Sequence, residues 1–118
     1  MNPAAPSRCD VFLALLSPTF GSEPPGTRPA VVVSRDAINY NSSMVICVPF
    51  TNFDNCPKIY PSQVVVKKGS GGLAKVSVAL CEQVRAITST RLRSLLGKLD
   101  RQTLTAVDER LKIALDLD

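Results

Sequence analysis

The apolar residues of this chain form short runs that polar, glycine-rich and proline-rich stretches separate. Each run is shorter than an average helix, and valine and other strand-favouring residues dominate several of them. They predict five buried strands, at residues 11–16, 28–34, 44–49, 63–67 and 77–83. Residues 35–43 are polar and rich in asparagine, which predicts a loop or a single helical turn.

The C-terminal part of the chain has a different pattern. Ser89 or Thr90 can cap a short helix that runs through Leu95, and Gly97 can terminate it. Asp100 can cap a longer helix. After Asp100, apolar residues recur at steps of three and four, at Leu104, Val107, Leu111, Ala114 and Leu115.

This apolar stripe must pack on the sheet or on a second chain. Together with Leu15 and Val76, which we expect to be exposed, it exceeds what so small a domain needs to cover, and it predicts a homodimer. Strands followed by helices, without strand–helix alternation or repeats, are typical of an α+β class that is mainly β, or of a small barrel.

A chain of 118 residues is long enough for one core, so residues 1–118 are expected to form a single domain behind a disordered leader at residues 1–7. The longest apolar run, residues 11–16, is too short to cross a membrane. The first residues lack the apolar segment of a signal peptide. We therefore expect a cytoplasmic protein without a membrane partner.

The composition excludes several kinds of catalytic site. The chain has no histidine, so neither a Ser-His-Asp triad nor a Cys-His pair can form. Its four cysteines are too far apart for a zinc site, and Cys47 and Cys81 lie in apolar runs typical of the core. We predict no metal and no cofactor. The formal charge of +4 arises after residue 59 and permits a polyanionic partner.

Arg28 is the strongest candidate for a functional residue. Pro29 favours an extended conformation at Arg28, which places the guanidinium at the start of a buried strand. Other polar groups follow or precede strands in the same way, and functional sites are often built from such loops. These groups are Ser22, Glu23, Thr27, Thr51, Asn52, Glu82, Gln83 and Arg85.

Two sequence motifs, taken together, narrow the possible families of this chain. The run SPTFGSEPPGTRPAVVVS and the downstream ALCEQVRAI occur in this order, with VICVPFT and YPSQVVV between them and VDERLKIALDL at the end. From Arg8 onward the chain resembles the MazF/PemK family of toxin endoribonucleases. The resemblance implies an SH3-like β-barrel of about five strands with a C-terminal α-helix. It also implies a homodimer, metal-independent cleavage of single-stranded RNA or mRNA at short sequences, and a MazE-like antitoxin with an acidic, partly disordered segment.

The resemblance also assigns roles to residues. The arginine of the RP motif, credited with phosphate binding and acid–base work, is Arg28. The threonine after the third strand, credited with stabilising the scissile phosphate, is Thr51. Expected RNA contacts lie at Ser22, Glu23, Thr27, Glu82 and Gln83.

The chain departs from the family pattern at Cys9, Leu15 and Val76, where relatives carry a glycine and two aspartates. Leu80 and Glu82 replace the arginine and aspartate of the PemK version, so the MazF version fits better.

Chemistry without a metal requires the ribose 2′-hydroxyl as nucleophile and a cation at the phosphate. Arg28 suits the second role, because its fork matches phosphate oxygens. Glu23 or Glu82 could be the base if burial made it a stronger one. Two other functions remain open, a non-enzymatic CcdB-like toxin that binds a topoisomerase and an SH3-like interaction module. Low aromatic content argues against an aromatic peptide groove.

Overall fold

The structure, a computed structural model, describes residues 5–16 and 26–118. Of the predicted leader, residues 1–4 therefore lie outside the described residues. Within the described part the chain forms seven β-strands and two α-helices. These are β1 (Asp10–Leu15), β2 (Thr27–Val32), α1 (Asp36–Asn41), β3 (Met44–Asn52), β4 (Gln63–Val66), β5 (Ser77–Leu80), β6 (Arg85–Thr88), β7 (Leu92–Lys98) and α2 (Arg101–Leu115).

All strands belong to one antiparallel sheet in the order β4-β5-β3-β2-β1-β7, and β6 pairs with β3 beside β5. The long strand β3 is central, because β2 lies along one edge while β6 and β5 share the other. Among the described residues the end strands β4 and β7 do not pair, so the sheet is open. The predicted class, mainly β with a C-terminal helix, is confirmed, with seven strands in place of about five.

Both faces of the central strands are buried, which explains their unbroken apolar runs. One face forms the helix-side cluster, in which Val31 and Phe50 pack with Val107 of α2. The other forms the far-side cluster, which includes Ala30 and Val32 of β2. The stripe predicted on α2 packs on the helix-side cluster except at Leu115, which is 52% exposed. This stripe therefore serves the chain's own core.

The ends of α2 and its attachment follow from local chemistry. The Asp100 carboxylate accepts a hydrogen bond from the Thr103 amide at 2.7 Å, as the predicted cap requires, and this bond lowers the pKa of Asp100. Arg8 donates to both carboxylate oxygens of Asp108, at 2.6 and 2.5 Å. The segment before β1 is thereby fixed to α2. No helix of the described chain is both long and apolar enough to span a membrane.

The predicted short helix ending at Leu95 is wrong. Residues 89–91 form one 3-10 turn, and β7 follows as an edge strand paired with β1. The local sequence has good helix formers, but pairing with β1 and a contact at Gly97 override this preference. The predicted fifth strand is also shorter. It ends at Leu80, and residues 81–83 form a 3-10 turn that leads into β6.

Cys9 shows why its family departure matters for the backbone. Its φ is +81°, in the left-handed region that a glycine adopts without strain. The Cys9 amide and carbonyl are nevertheless used, since they bond Val32 O at 2.8 Å and Leu99 N at 3.0 Å. With cysteine in place of glycine at position 9, the backbone therefore keeps its left-handed conformation and both hydrogen bonds, at the cost of local backbone strain.

Gly72 is expected to tolerate no side chain. Its φ is +76°, and an added Cβ would lie 2.1 Å from the carbonyl oxygen of Leu96 in β7. Gly69, in the same turn, also has a positive φ of +93° but has nothing within 4 Å of an added Cβ. Backbone strain alone costs about 1 kcal/mol. A collision that shifts backbone adds about 1–3 kcal/mol.

We therefore expect Gly72→Ala to lower the free energy of unfolding by about 2–4 kcal/mol and Gly69→Ala by about 1 kcal/mol. Urea unfolding of the two variants measures the difference. Equal losses in both variants would contradict the close contact between this turn and β7.

Candidate functional site

Arg28 lies at the second position of β2, opposite Ala14 of β1. Side-chain alternation along β2 puts it on the same face as Ala30 and Val32, away from α2. The side chain is half-buried, and its Nε atom is fully buried without a hydrogen-bond partner among the described residues. A buried donor that lacks a partner is costly unless a ligand completes it. The Nε of Arg28 is therefore available to donate a hydrogen bond to an acceptor atom of a ligand.

Thr51 lies at the end of β3, beside Arg28. The β2–β3 pairing joins Val32 to Cys47 and Ala30 to Pro49, and its continuation by two residues sets Arg28 opposite Thr51. Directly opposed residues project from the same face of an antiparallel pair. Among the described residues, the one hydrogen bond to the Thr51 hydroxyl is a long one from the Asn55 side-chain amide, at 3.5 Å. The structure thus brings the two predicted catalytic residues together.

Both residues line a pocket of about 210 Å³, which we call the Arg28 pocket. Its described polar groups are Arg28, Thr51, Asn52, Lys75 and Ser77, and its other described lining residues are apolar. The two charged groups are both cations, and no described lining residue is acidic. Such a pocket favours anions. Lys75 was not predicted, because a lysine after a glycine-rich turn carries no signal in the sequence.

The pocket wall is fixed by local hydrogen bonds. The Asn52 side chain accepts from the Asp54 amide at 3.1 Å and caps the 3-10 helix Phe53–Asn55. The Phe53 amide donates to Val76 O at 3.0 Å, and the Ser77 hydroxyl donates to Lys75 O at 2.9 Å. The end of β3 and the segment before β5 are therefore held together before any ligand binds.

Of the other predicted site residues, those that the structure describes, Thr27, Glu82 and Gln83, do not line this pocket. Thr27 is exposed at the start of β2, opposite Leu15. Gln83 has a buried Oε1 atom without a hydrogen-bond partner in the described part of the chain. Ser22 and Glu23 lie outside the described residues.

Glu82 is exposed and accepts hydrogen bonds from Gln63 of β4 and from Ser62, the residue before it. Its carboxylate accepts from Gln63 Nε2 at 2.7 Å and from the Ser62 hydroxyl at 3.1 Å. Neither donor lines the Arg28 pocket. The burial that a base role would need is therefore missing at Glu82.

The buried cysteines are confirmed as core residues. Burial raises the pKa of Cys47 to about 11 and that of Cys81 to about 12. Both side chains are therefore thiols at neutral pH, and neither is a nucleophile. Across residues 5–16 and 26–118, no three acidic, cysteine or histidine side chains are grouped to hold a metal ion.

Known proteins are similar to this chain in sequence and in fold. A family model described as "PemK-like, MazF-like toxin of type II toxin-antitoxin system" matches residues 7–115. An endoribonuclease MazF of Staphylococcus epidermidis is 40% identical over 111 residues, which cover 94% of this chain and 92% of that protein.

Solved structures share the fold. MazF (Form-I) of Deinococcus radiodurans superposes with a TM-score of 0.80 at 24% identity, over 96% of this chain and 98% of that one. A mycobacterial endoribonuclease, solved in complex with its cognate antitoxin, gives a TM-score of 0.80 at 22% identity, over 97% and 98% of the two chains.

Proposed function

The chain belongs to the PemK-like, MazF-like toxin family of type II toxin–antitoxin systems, and we propose that it is an endoribonuclease that cleaves single-stranded RNA without a metal. One observation carries the proposal. The buried Nε of Arg28 lacks a partner in the described chain, and Arg28 lies beside Thr51 in a pocket whose two charged groups, among the described lining residues, are both cations. The scissile phosphate of RNA supplies the missing acceptor and the negative charge.

In this proposal Arg28 and Thr51 are the catalytic residues. The ribose 2′-oxygen bonds to phosphorus and gives its proton to a base, while the P–O5′ bond breaks and the 5′-oxygen takes up a proton. The products are a 2′,3′-cyclic phosphate and a 5′-hydroxyl. Arg28 offers a planar fork of donors to the phosphate oxygens as charge accumulates on them. The Thr51 hydroxyl adds a neutral donor, and one such preorganised donor lowers a barrier by about 3 kcal/mol.

Ser22, Glu23, Thr27, Glu82 and Gln83 are proposed to bind RNA beyond the scissile phosphate. Glu82 is proposed to contact RNA and not to act as the base, because it is exposed and its carboxylate accepts hydrogen bonds from Gln63 and Ser62. The Arg28 pocket also favours an RNA-cleaving enzyme over a CcdB-like toxin or an SH3-like module, because neither of these needs an orphaned arginine beside a hydroxyl.

The partners of the proposed enzyme are an antitoxin and a second copy of the chain, in the cytoplasm. Two of the similar structures hold a MazF or an endoribonuclease with its antitoxin. An acidic segment would suit the cations of the Arg28 pocket.

For the homodimer, Met44 and Ile46 of β3 are each 37% exposed, beside exposed Ala86 and Thr88 of β6. This sheet face, rather than the stripe of α2, supports the dimer. Sedimentation at micromolar concentration should give twice the mass of the chain, and a single-chain mass would contradict the proposal.

The function is tested by incubating the purified protein with a mixed RNA in EDTA and mapping the new ends. We expect cleavage at a short sequence, with 2′,3′-cyclic phosphate and 5′-hydroxyl ends. An Arg28→Ala variant purified in the same way controls for contaminating nucleases. A requirement for Mg²⁺, 5′-phosphate ends or equal cleavage by the variant would each refute the proposal.

A further inference from the structure

Lys75 is the second cation of the Arg28 pocket, and its ammonium group has no partner among the described residues. It lies just before β5 and is exposed. It forms no ion pair or side-chain hydrogen bond with any described residue. Its backbone, in contrast, is fixed, since its carbonyl accepts from the Ser77 hydroxyl and the neighbouring Val76 O accepts from Phe53 N. The backbone at Lys75 is therefore fixed, while its positive charge is unpaired within the described part of the chain.

The two cations approach the pocket from different sides of β3. Arg28 is on β2, along one edge of β3, and Ser77, two residues after Lys75, pairs with Asn52 along the other edge. Neighbouring strands are about 4.8 Å apart, so β2 and β5 are about 10 Å apart across β3, and the backbones of the two cations are at least that far apart. At that separation the cations can hold two groups of one ligand. A ligand with charges repeated along its length fits this spacing.

From this arrangement we infer that Lys75 is a positioning residue, which binds a phosphate next to the one held by Arg28. The inference rests on the proposed function, because it assumes that the anion in the pocket is an RNA strand. Lys75 is exposed and its stem is flexible, so it contributes charge without fixed geometry. It should therefore hold the strand equally well before and during the reaction, and its loss should weaken binding far more than kcat.

The test compares Lys75→Met with Lys112→Met, which removes the same charge from an exposed lysine on α2 that does not line the Arg28 pocket. Fluorescence anisotropy measures binding of an RNA with a 2′-deoxy nucleotide at the cleavage position, over a range of KCl concentrations. One phosphate contact on a single strand contributes about 0.7 to the slope of log K against log salt. We expect Lys75→Met to lower that slope by about 0.7 and to weaken binding about 5-fold near 0.1 M salt.

Cleavage kinetics complete the test. For Lys75→Met, kcat should stay within about 3-fold of the parent chain while KM rises with the loss of affinity. Lys75→Arg should restore both the slope and KM, and Lys112→Met should change neither.

A salt slope for Lys75→Met equal to that of Lys112→Met would overturn the inference, and so would a large loss of kcat with unchanged binding. In both cases the parent chain still cleaves RNA, so the proposed function stands. A parent chain that neither binds nor cleaves RNA would instead refute the proposed function, and the role of Lys75 with it.

Discussion

Arg28→Lys is expected to lower the single-turnover rate of RNA cleavage by at least about 100-fold, although the positive charge is kept. Loss of one preorganised donor at a developing negative charge costs about 100- to 1,000-fold. A lysine ammonium is a point charge on a flexible stem and cannot donate in parallel to two phosphate oxygens. It also lacks the Nε donor, which is buried in the structure without a partner in the described residues.

The matched control is Arg101→Lys, at the exposed start of α2. This variant makes the same chemical change at a residue that does not line the Arg28 pocket and should cleave at the parental rate. Thermal unfolding of both variants shows whether the fold is kept. If a folded Arg28→Lys protein retains more than about a tenth of the parental rate, the bidentate role of Arg28 is wrong.

A substrate that carries a 2′-deoxy nucleotide at the cleavage position should not be cleaved at all. In the described part of the chain no side chains are grouped to hold a metal ion, and Cys47 and Cys81 stay protonated. In the proposed mechanism the nucleophile is the ribose 2′-hydroxyl, the group of the substrate next to the scissile phosphate. Phosphate contacts dominate affinity for nucleic acids, so binding should be nearly unchanged.

The control substrate carries the 2′-deoxy nucleotide one position away from the cleaved bond. It should be cleaved at close to the rate of the all-RNA substrate, apart from any contact that this second hydroxyl makes. Cleavage of the first substrate, with any end chemistry, would mean that water or a protein group attacks the phosphate. The proposed mechanism would then be abandoned, even though RNA cleavage itself remained.

The location of the Arg28 pocket explains how the small fold can keep it rigid. Arg28 and Thr51 lie on adjacent strands, just beyond positions where Ala30 and Phe50 are completely or almost completely buried. The third wall is the segment before β5, which is bonded to the end of β3 through Phe53 and Val76. Arg28 and Thr51 are therefore close to packed core, and little reorganisation of these two residues is needed when substrate binds.

The sequence alone determined those elements whose signal is local. Short apolar runs predicted the first five strands because both faces of the central sheet are buried. The three- and four-residue spacing after Asp100 predicted α2, since one face of that helix packs on the sheet. Arg28 and Thr51 were found from motifs, and the β2–β3 register places both on one face.

Tertiary structure decided what depends on partners distant in the chain. The local sequence predicted a helix from Ser89 or Thr90 through Leu95, yet Leu92–Lys98 forms β7 because β1 offers a ladder of backbone hydrogen bonds. Glu82 belongs to a motif, but its bonds to Gln63 and Ser62 hold it outside the Arg28 pocket. Lys75 was not among the predicted site residues, and the pairing of Ser77 with Asn52 brings it to the Arg28 pocket. Strand pairing brings together residues that are distant in sequence, so no local pattern of side chains records which of them will meet.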